Sequence, residues 1–330
     1  MRPLPRLFLA ALLLVSASAH ALTEAEAGDL LGKAVNGSAE ARQAIEQAAE
    51  KGDTLAEHTM GLMFIRGQGQ VQSDSQALEW FLRAARKGHV ESQHNAALIY
   101  ERTSGSLNDP ALARGWYRSA AQKGYARSQA NLGNQLLEGV GGPPDVDEAR
   151  DWIEKSAAQG EPRGQYLLGM LALEGRAGIT RNPEVAARLI AAAANGKDRE
   201  AQYRLALLYG NGTGVEKSNE KALEWLMQSA KLGWPESELM VAAVYARGLY
   251  GVPKNDAESA TWLRRAALQG NAEAEYQLGR AYAEGRGVKR DPEQALGWWL
   301  RASRRGHAQA IAMVRRIEAG AAGKAGKAGK

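Results

Sequence analysis

Small and apolar residues fall along this chain in a pattern that returns about every 36 residues. A glycine stands at Gly52, Gly88, Gly124, Gly160, Gly196, Gly233, Gly270 and Gly306, at spacings of 36 or 37. Alanine-rich text precedes each, as in Ala84-Ala85-Arg86-Lys87-Gly88 and Ala120-Ala121-Gln122-Lys123-Gly124. Eight residues before the glycine a tryptophan recurs at Trp80, Trp116, Trp152, Trp225, Trp262 and Trp298, with Arg188 standing in its place in the fourth repeat. One helical turn earlier comes a small residue: Ala77, Ala113, Ala149, Ala222, Ser259 and Ala295. Three-residue spacing puts these side chains on one helical face. The pairs Asp109-Pro110, Asn182-Pro183 and Asp291-Pro292 start this helix, called helix B, with a capping side chain followed by a proline suited to the first turn. The repeated glycine ends it as a left-handed cap.

A second helix, helix A, follows each glycine. Its marks are a small residue nine positions on (Gly61, Ala97, Gly133, Gly169, Ala242, Gly279) and often an aromatic at twelve (Phe64, Tyr100, Tyr245, Tyr282). After Gly196 one inserted residue shifts these to Ala206 and Tyr209. Glycines at Gly67, Gly139, Gly175, Gly212, Gly248 and Gly285 end helix A and open a loop to the next helix B. Small residues at a fixed point let two helices approach closely. A two-helix unit cannot bury both faces alone, so neighbours must stack. The pattern therefore predicts an all-α fold, a right-handed alpha-solenoid (alpha-alpha superhelix) of antiparallel helix pairs whose recurring tryptophans form the core. Seven pairs fit between Asp53 and Gly306. A partial N-terminal pair, with a capping box at Thr23–Glu26 and a cap at Ser38, and a single C-terminal helix near His307–Ala319 close the two ends.

The stretch from Ala274 through Tyr276, Leu278-Gly279, Tyr282, Gly285 and Gly287, continued by Asp291-Pro292, Ala295 and Trp298, resembles the Sel-1-like repeat family, relatives of the tetratricopeptide repeats. The resemblance covers nearly all of the chain after its first residues. Arg188, and the irregular loop Thr103-Ser104-Gly105-Ser106, depart from the pattern. The resemblance implies adaptor work, with bacterial members often exported. It also marks a difference from cysteine-rich exported relatives linked to cell-wall ligands, because this chain has no cysteine.

Charge and termini narrow the setting. Arg2 and Arg6, the apolar run Leu7–Val15 and the small-residue site Ala19-His20-Ala21 read as a secretory signal peptide over residues 1–21. The apolar run is too short to span a bilayer, for which about 20 residues are needed. A soluble protein follows, periplasmic first and extracellular second. The net charge of +5 comes wholly from Arg2, Arg6 and the tail lysines Lys324, Lys327 and Lys330, and the body from 22 to 318 is balanced. A groove that tracks phosphates needs a basic stripe on the folded part, so nucleic acid is set aside as a partner. Residues 319–330, built from Gly, Ala and Lys, have nothing to pack and read as a disordered tail with weak attraction to anionic envelope polymers.

Candidate chemistry is thin. Gly210-Asn211-Gly212-Thr213-Gly214 lacks the strand and the Lys-Ser or Lys-Thr of a phosphate loop. His58 and His94 hold equivalent places in successive repeats, roughly 10 Å apart on stacked helices, too far to share a metal ion; His89 is close in sequence but off their face. No nucleophile motif appears, so no enzyme, cofactor or metal is expected. What varies over the constant core is a polar stripe on helix A, at three, seven and fourteen residues after the glycine: Glu91, Asn95, Arg102, Arg127, Asn131, Glu138, Arg204, Asn211, Arg247, Glu273, Gln277 and Glu284. It reads either as a concave partner-binding face or as a merely solvated one. The expected function is a non-catalytic interaction scaffold in the bacterial envelope, binding a protein or extended peptide. The alternatives are a cell-wall ligand-binding or modifying protein, and a part of a secretion, motility or polysaccharide-export assembly.

Overall fold

The computed structural model describes residues 21–68, 70–103 and 105–328, with 320–328 described by backbone alone. The signal-peptide segment, Ala21 apart, lies outside the described residues. The chain divides into two compact units, residues 1–123 and 124–330. In the first, α1 (Glu24–Val35) pairs with α2 (Ala39–Glu50), α3 (Thr54–Arg66) with α4 (Asp74–Arg86), and α5 (Val90–Arg102) with α6 (Pro110–Gln122). In the second, α7 (Ala126–Glu138) pairs with α8 (Val146–Ala158), α9 (Pro162–Glu174) with α10 (Pro183–Asn195), and α11 (Arg199–Asn211) with α12 (Asn219–Lys231). The series continues with α13 (Pro235–Arg247) on α14 (Asp256–Leu268), α15 (Ala272–Glu284) on α16 (Pro292–Arg304), and α17 (Ala308–Ala328) against α16. No strand occurs among the described residues. Within each unit a helix B also packs on the helix A that follows it, as α4 does on α5 and α14 on α15. The fold is the all-α stack of helix pairs that the periodicity predicts.

Local chemistry sets the boundaries. Thr23 and Glu26 form the reciprocal capping box, and Ser38 accepts from the Ala41 amide. Each helix B from α4 onward opens on Ser, Asp or Asn, whose side chain accepts a first-turn amide. The same residue donates its backbone N–H to a carbonyl near the end of the preceding helix A: Ser73 to Phe64, Asp109 to Tyr100, Ser218 to Tyr209, Asp291 to Tyr282. That bond closes every A-to-B loop. Where the loop at 103–109 has no capping glycine, the Asn108 side-chain amide reaches the carbonyls of Tyr100, Glu101 and Thr103 instead. The second glycine of the regular loops answers to packing. A Cβ on Gly214 would lie 2.0 Å from the Pro183 carbonyl oxygen, and one on Gly287 would lie 1.8 Å from that of Asp256.

Two readings from the spacing need correction. Gly196 is not the left-handed cap of its repeat: its φ is −74°, and Lys197 takes the left-handed place at φ +65°. Gly196 is required for another reason, since a Cβ there would sit 2.4 Å from Pro162. Counted within the helix, Leu189 is then the counterpart of the tryptophans, and Arg188 is exposed. The extra residue lies upstream, in the loop 175–182, where Ala177 (φ 55°) and Gly178 turn the chain; the loop 248–255 accommodates its own extra residue with Tyr250 (φ 53°) and Gly251.

The tryptophans, second, are only part of the core. Trp262 and Trp298 are 8% exposed, but Trp80, Trp116, Trp152 and Trp225 are half-buried. The next residue is the one driven fully inside: Phe81, Tyr117, Ile153 and Leu226 are at most 1% exposed. It presses on the small residue of helix A, so that a Cβ on Gly61 would meet the Phe81 ring at 2.5 Å and one on Gly133 would meet Ile153 at 2.5 Å. The half-buried Trp80 packs instead against the cluster of Ile45, Met60 and Met63, and the indoles receive a cation on their faces, Arg83 over Trp80 at 4.3 Å and Arg265 over Trp262 at 4.4 Å.

At the C-terminus, α17 stands where a further helix A would. Arg315 occupies the place that Gly279 holds in α15. The backbone of α17 stays helical to Ala328, into the segment that composition marks as unpacked.

Candidate functional site

The side of helix A away from both neighbouring helices B is built by residues two, five, six, nine and thirteen of each helix, a sector of about 100° at 100° per residue. All twelve stripe residues lie on it. None is fully buried; Glu91, Arg102, Arg127, Glu138, Asn211, Arg247 and Glu284 are exposed, and Asn95, Asn131, Arg204, Glu273 and Gln277 half-buried.

In the first unit, Glu91 stands 3.6 Å from His89, and Arg102 pairs loosely with Asp74 at 3.6 Å. Asn95 and Arg102 come together with Arg66 around a hollow of about 160 Å³ whose other walls are Leu62, Ile65, Phe81, Leu98 and Ile99. Arg66 has the same register as Arg102 one repeat earlier, and extending the stripe count back to Gly52 reaches it.

In the second unit, Arg127 lies 3.8 Å from Glu161, Glu138 4.0 Å from Arg176, and Glu284 2.6 Å from Arg286. Glu273 accepts from Gln277 at 2.7 Å and sits 2.8 Å from His307, whose ring stacks on Tyr276. Asn211 ends α11 and Arg247 ends α13, each apart from these pairs. Arg204 belongs to a tighter group that the stripe only touched. Arg163 donates to Glu200 at 2.6 Å, Tyr166 donates to the other oxygen of Glu200 at 2.7 Å, and the Arg204 guanidinium lies beside the Tyr166 hydroxyl. Burial alone would raise the Glu200 carboxyl, but the bonds from Tyr166 and Arg163 and the two guanidinium charges hold it below the ordinary value. Burial and the Glu200 carboxylate push the Tyr166 hydroxyl up. The group is locked as an ion pair with a neutral phenol, suited to fixing α9 against α11 and unsuited to proton transfer. Arg163 and Glu200 were open to the same count, Glu200 once Lys197 replaces Gly196 as its origin.

Beneath the face, the fourth residue of helix A answers a recurring need. The carbonyl of the penultimate residue of the preceding helix B accepts a turn N–H from three residues on, as Ala85 does from Gly88, and has a second lone pair open to a side-chain donor. Gln93 donates to Ala85 and Gln202 to Ala194 at 3.1 Å each. At two of the glutamates in that place, the donor is an arginine from helix B: Arg83 reaches Ala49 (3.0 Å) while bonding Glu57 (3.0 Å), and Arg265 reaches Ala230 (3.1 Å) while bonding Glu238 (2.9 Å). Glu57 and Glu238 are each 1% exposed. Burial raises the Glu238 carboxyl more than Arg265 and Gln269 lower it.

The histidines do meet, but as a different pair. His58 and His89 stand 4.5 Å apart between ring centres, and both are bonded to Ser92 Oγ, at 2.8 and 3.0 Å. His94 packs instead on Tyr117. Ser92 is 0% exposed, so its hydroxyl cannot reach a substrate. Among the described residues no three His, Cys, Asp or Glu side chains group to hold a metal. Burial, with His89 and Arg66 nearby, lowers His58 to about 4 from 6.5. The folded chain thus binds a proton at His58 less readily than the unfolded one. Its contribution to stability is intact above pH 6.5 and is lost as pH falls toward 4, by about 3 kcal/mol over that window. Denaturant midpoints taken across it should fall for the wild type and flatten for His58→Gln; parallel curves would rule this out.

Comparison with known proteins gives a consistent picture. The family model described as Sel1 repeat matches residues 54–89, 90–125, 126–161, 162–198, 199–234, 235–271 and 272–307. Those limits assign 37 residues to the fourth and sixth segments, which contain the two longer loops. A Sel1 repeat protein from Oxalobacter formigenes is similar in structure, with a TM-score of 0.60 and 27% identity over 88% of this chain and 85% of that one. A protective antigen of uropathogenic Escherichia coli displaying an SLR fold has a TM-score of 0.52 and 30% identity over 88% of this chain and 67% of its own. No curated protein matches the chain.

Proposed function

The chain belongs to the Sel1 repeat family, whose helix-pair repeats mediate protein–protein interaction, and from that premise we propose that it is a non-catalytic adaptor of the bacterial cell envelope that binds a protein or extended peptide on its helix-A face. The observation that carries the reading is the contrast within each helix A. One side is held by constant small and apolar residues, such as Gly133, Leu132 and Leu136 in α7, while the other carries Arg127, Asn131 and Glu138, which change in size and charge at the same places in α11 and α13. A scaffold keeps its core and varies the surface that partners read. Export rests on the leader-like residues 1–21, with the periplasm as first destination, and no described helix is long and apolar enough to cross a membrane. The three tail lysines add a weak attraction to anionic envelope polymers.

The test is affinity capture from a periplasmic extract with residues 22–330 as bait, beside a variant carrying Arg127→Glu and Arg247→Glu. Capture of a discrete partner that disappears with the variant, while its circular dichroism and melting temperature stay near wild type, is the expected result. Equal capture by both baits removes the helix-A face from the reading.

A further inference from the structure

We infer that the hollow between α3 and α5 takes the C-terminal residue of a partner polypeptide, its aliphatic side chain inside and its carboxylate at Arg66 and Arg102. The inference rests on the reading of the helix-A face as a binding surface and gives one place on it a ligand chemistry. Three features carry it. The hollow measures about 160 Å³ and has walls from Leu62, Leu98 and Phe81; that is below the ~300–1,000 Å³ of small-molecule pockets and suits a single side chain. Two exposed guanidinium groups, Arg66 and Arg102, line the same hollow. Arg66 has no carboxylate within ion-pair distance among the described residues, and Arg102 has only the long 3.6 Å contact with Asp74.

A planar guanidinium presents paired N–H groups that match a carboxylate. Apolar walls beside two such groups select a ligand with an apolar group and a carboxylate a few bonds apart. The last residue of a polypeptide has that arrangement, because its carboxylate and its side chain share one Cα. Asn95 lines the same space with an amide that can donate to and accept from the backbone of the residue before it. Asp74 competes for Arg102, so its removal should tighten binding.

The experiment uses the 22–330 chain and an N-terminally fluorescein-labelled peptide, Ser-Gly-Ala-Leu, with a free carboxylate or a C-terminal amide, followed by fluorescence anisotropy. The free acid is expected to bind about tenfold more tightly than the amide, and Arg66→Gln or Arg102→Gln to remove most of that difference. Asp74→Asn should strengthen binding of the acid and leave the amide unmoved. Leu98→Ala should weaken both peptides. Equal affinity for acid and amide, or no binding of the acid at roughly 1 mM, overturns the inference. So does acid binding undiminished in a well-folded Arg66→Gln chain. Because the capture variant changes only residues of the second unit, the two failures separate: peptide indifference with charge-sensitive capture refutes the hollow alone, and selective peptide binding with indifferent capture refutes the wider face alone.

Discussion

Replacing Phe81 by alanine is expected to lower the unfolding free energy by about 3–5 kcal/mol, and replacing the adjacent Trp80 by about half as much. The larger indole gives the smaller effect because of where it points. Phe81 is 1% exposed and lies against the bare backbone of Gly61, so its removal leaves a cavity that two packed helices cannot close. Trp80 is half-buried, and its loss exposes surface that water can reach while Arg83 stays tied to Glu57. Urea unfolding of the two variants, followed by far-UV circular dichroism, measures the difference. A Trp80→Ala chain less stable than Phe81→Ala would return the tryptophans to the central place that their spacing gave them.

Arg265→Ala should cost about 3–5 kcal/mol at neutral pH, since it leaves Glu238 buried without its charged partner. It also removes one of the two donors to the Ala230 carbonyl, leaving the Gly233 N–H. The pH dependence identifies the cause. Burial already raises the Glu238 carboxyl, and without Arg265 it rises further. A raised carboxyl favours the folded state below the unfolded value and loses that advantage as pH rises through the folded one. The Arg265→Ala defect should accordingly be greatest near pH 7 and shrink toward pH 4. Adding Glu238→Gln should restore most of the loss at pH 7, in the manner of the repeats that carry Gln93 and Gln202. A defect of constant size across that range, unrelieved by the second change, would place the role of Arg265 in its contact with Trp262 instead.

Period, pairing and most helix limits were readable from the residues, because capping side chains and left-handed glycines act over a few neighbouring positions. Two kinds of information were not. Trp80 and Phe81 differ by 100° of helical rotation, and only the position of Gly61 across the pair decides which of them goes inside. At Gly196 a glycine is present for the approach of Pro162 while Lys197 makes the turn, and a count from glycine to glycine cannot distinguish those purposes. The stripe residues share one side of helix A, as their spacing predicts. The bonds within that side were out of reach, since Arg163 and Glu200 meet across 37 residues of chain.

The shared acceptor beneath that face also bears on how such a chain changes length. Gln202 and Arg265 both deliver an N–H to the same point on the helix before them, the carbonyl of its penultimate residue. A glutamine-bearing repeat and a glutamate–arginine repeat are thus interchangeable as seen from upstream, and each brings its own donor. Duplication or loss of a whole cassette of either kind leaves that acceptor with a fitting donor, whereas loss of the arginine half of a glutamate cassette strands a buried charge. Gene copying that respects the cassette is tolerated by the chemistry, and copying that cuts through it is not.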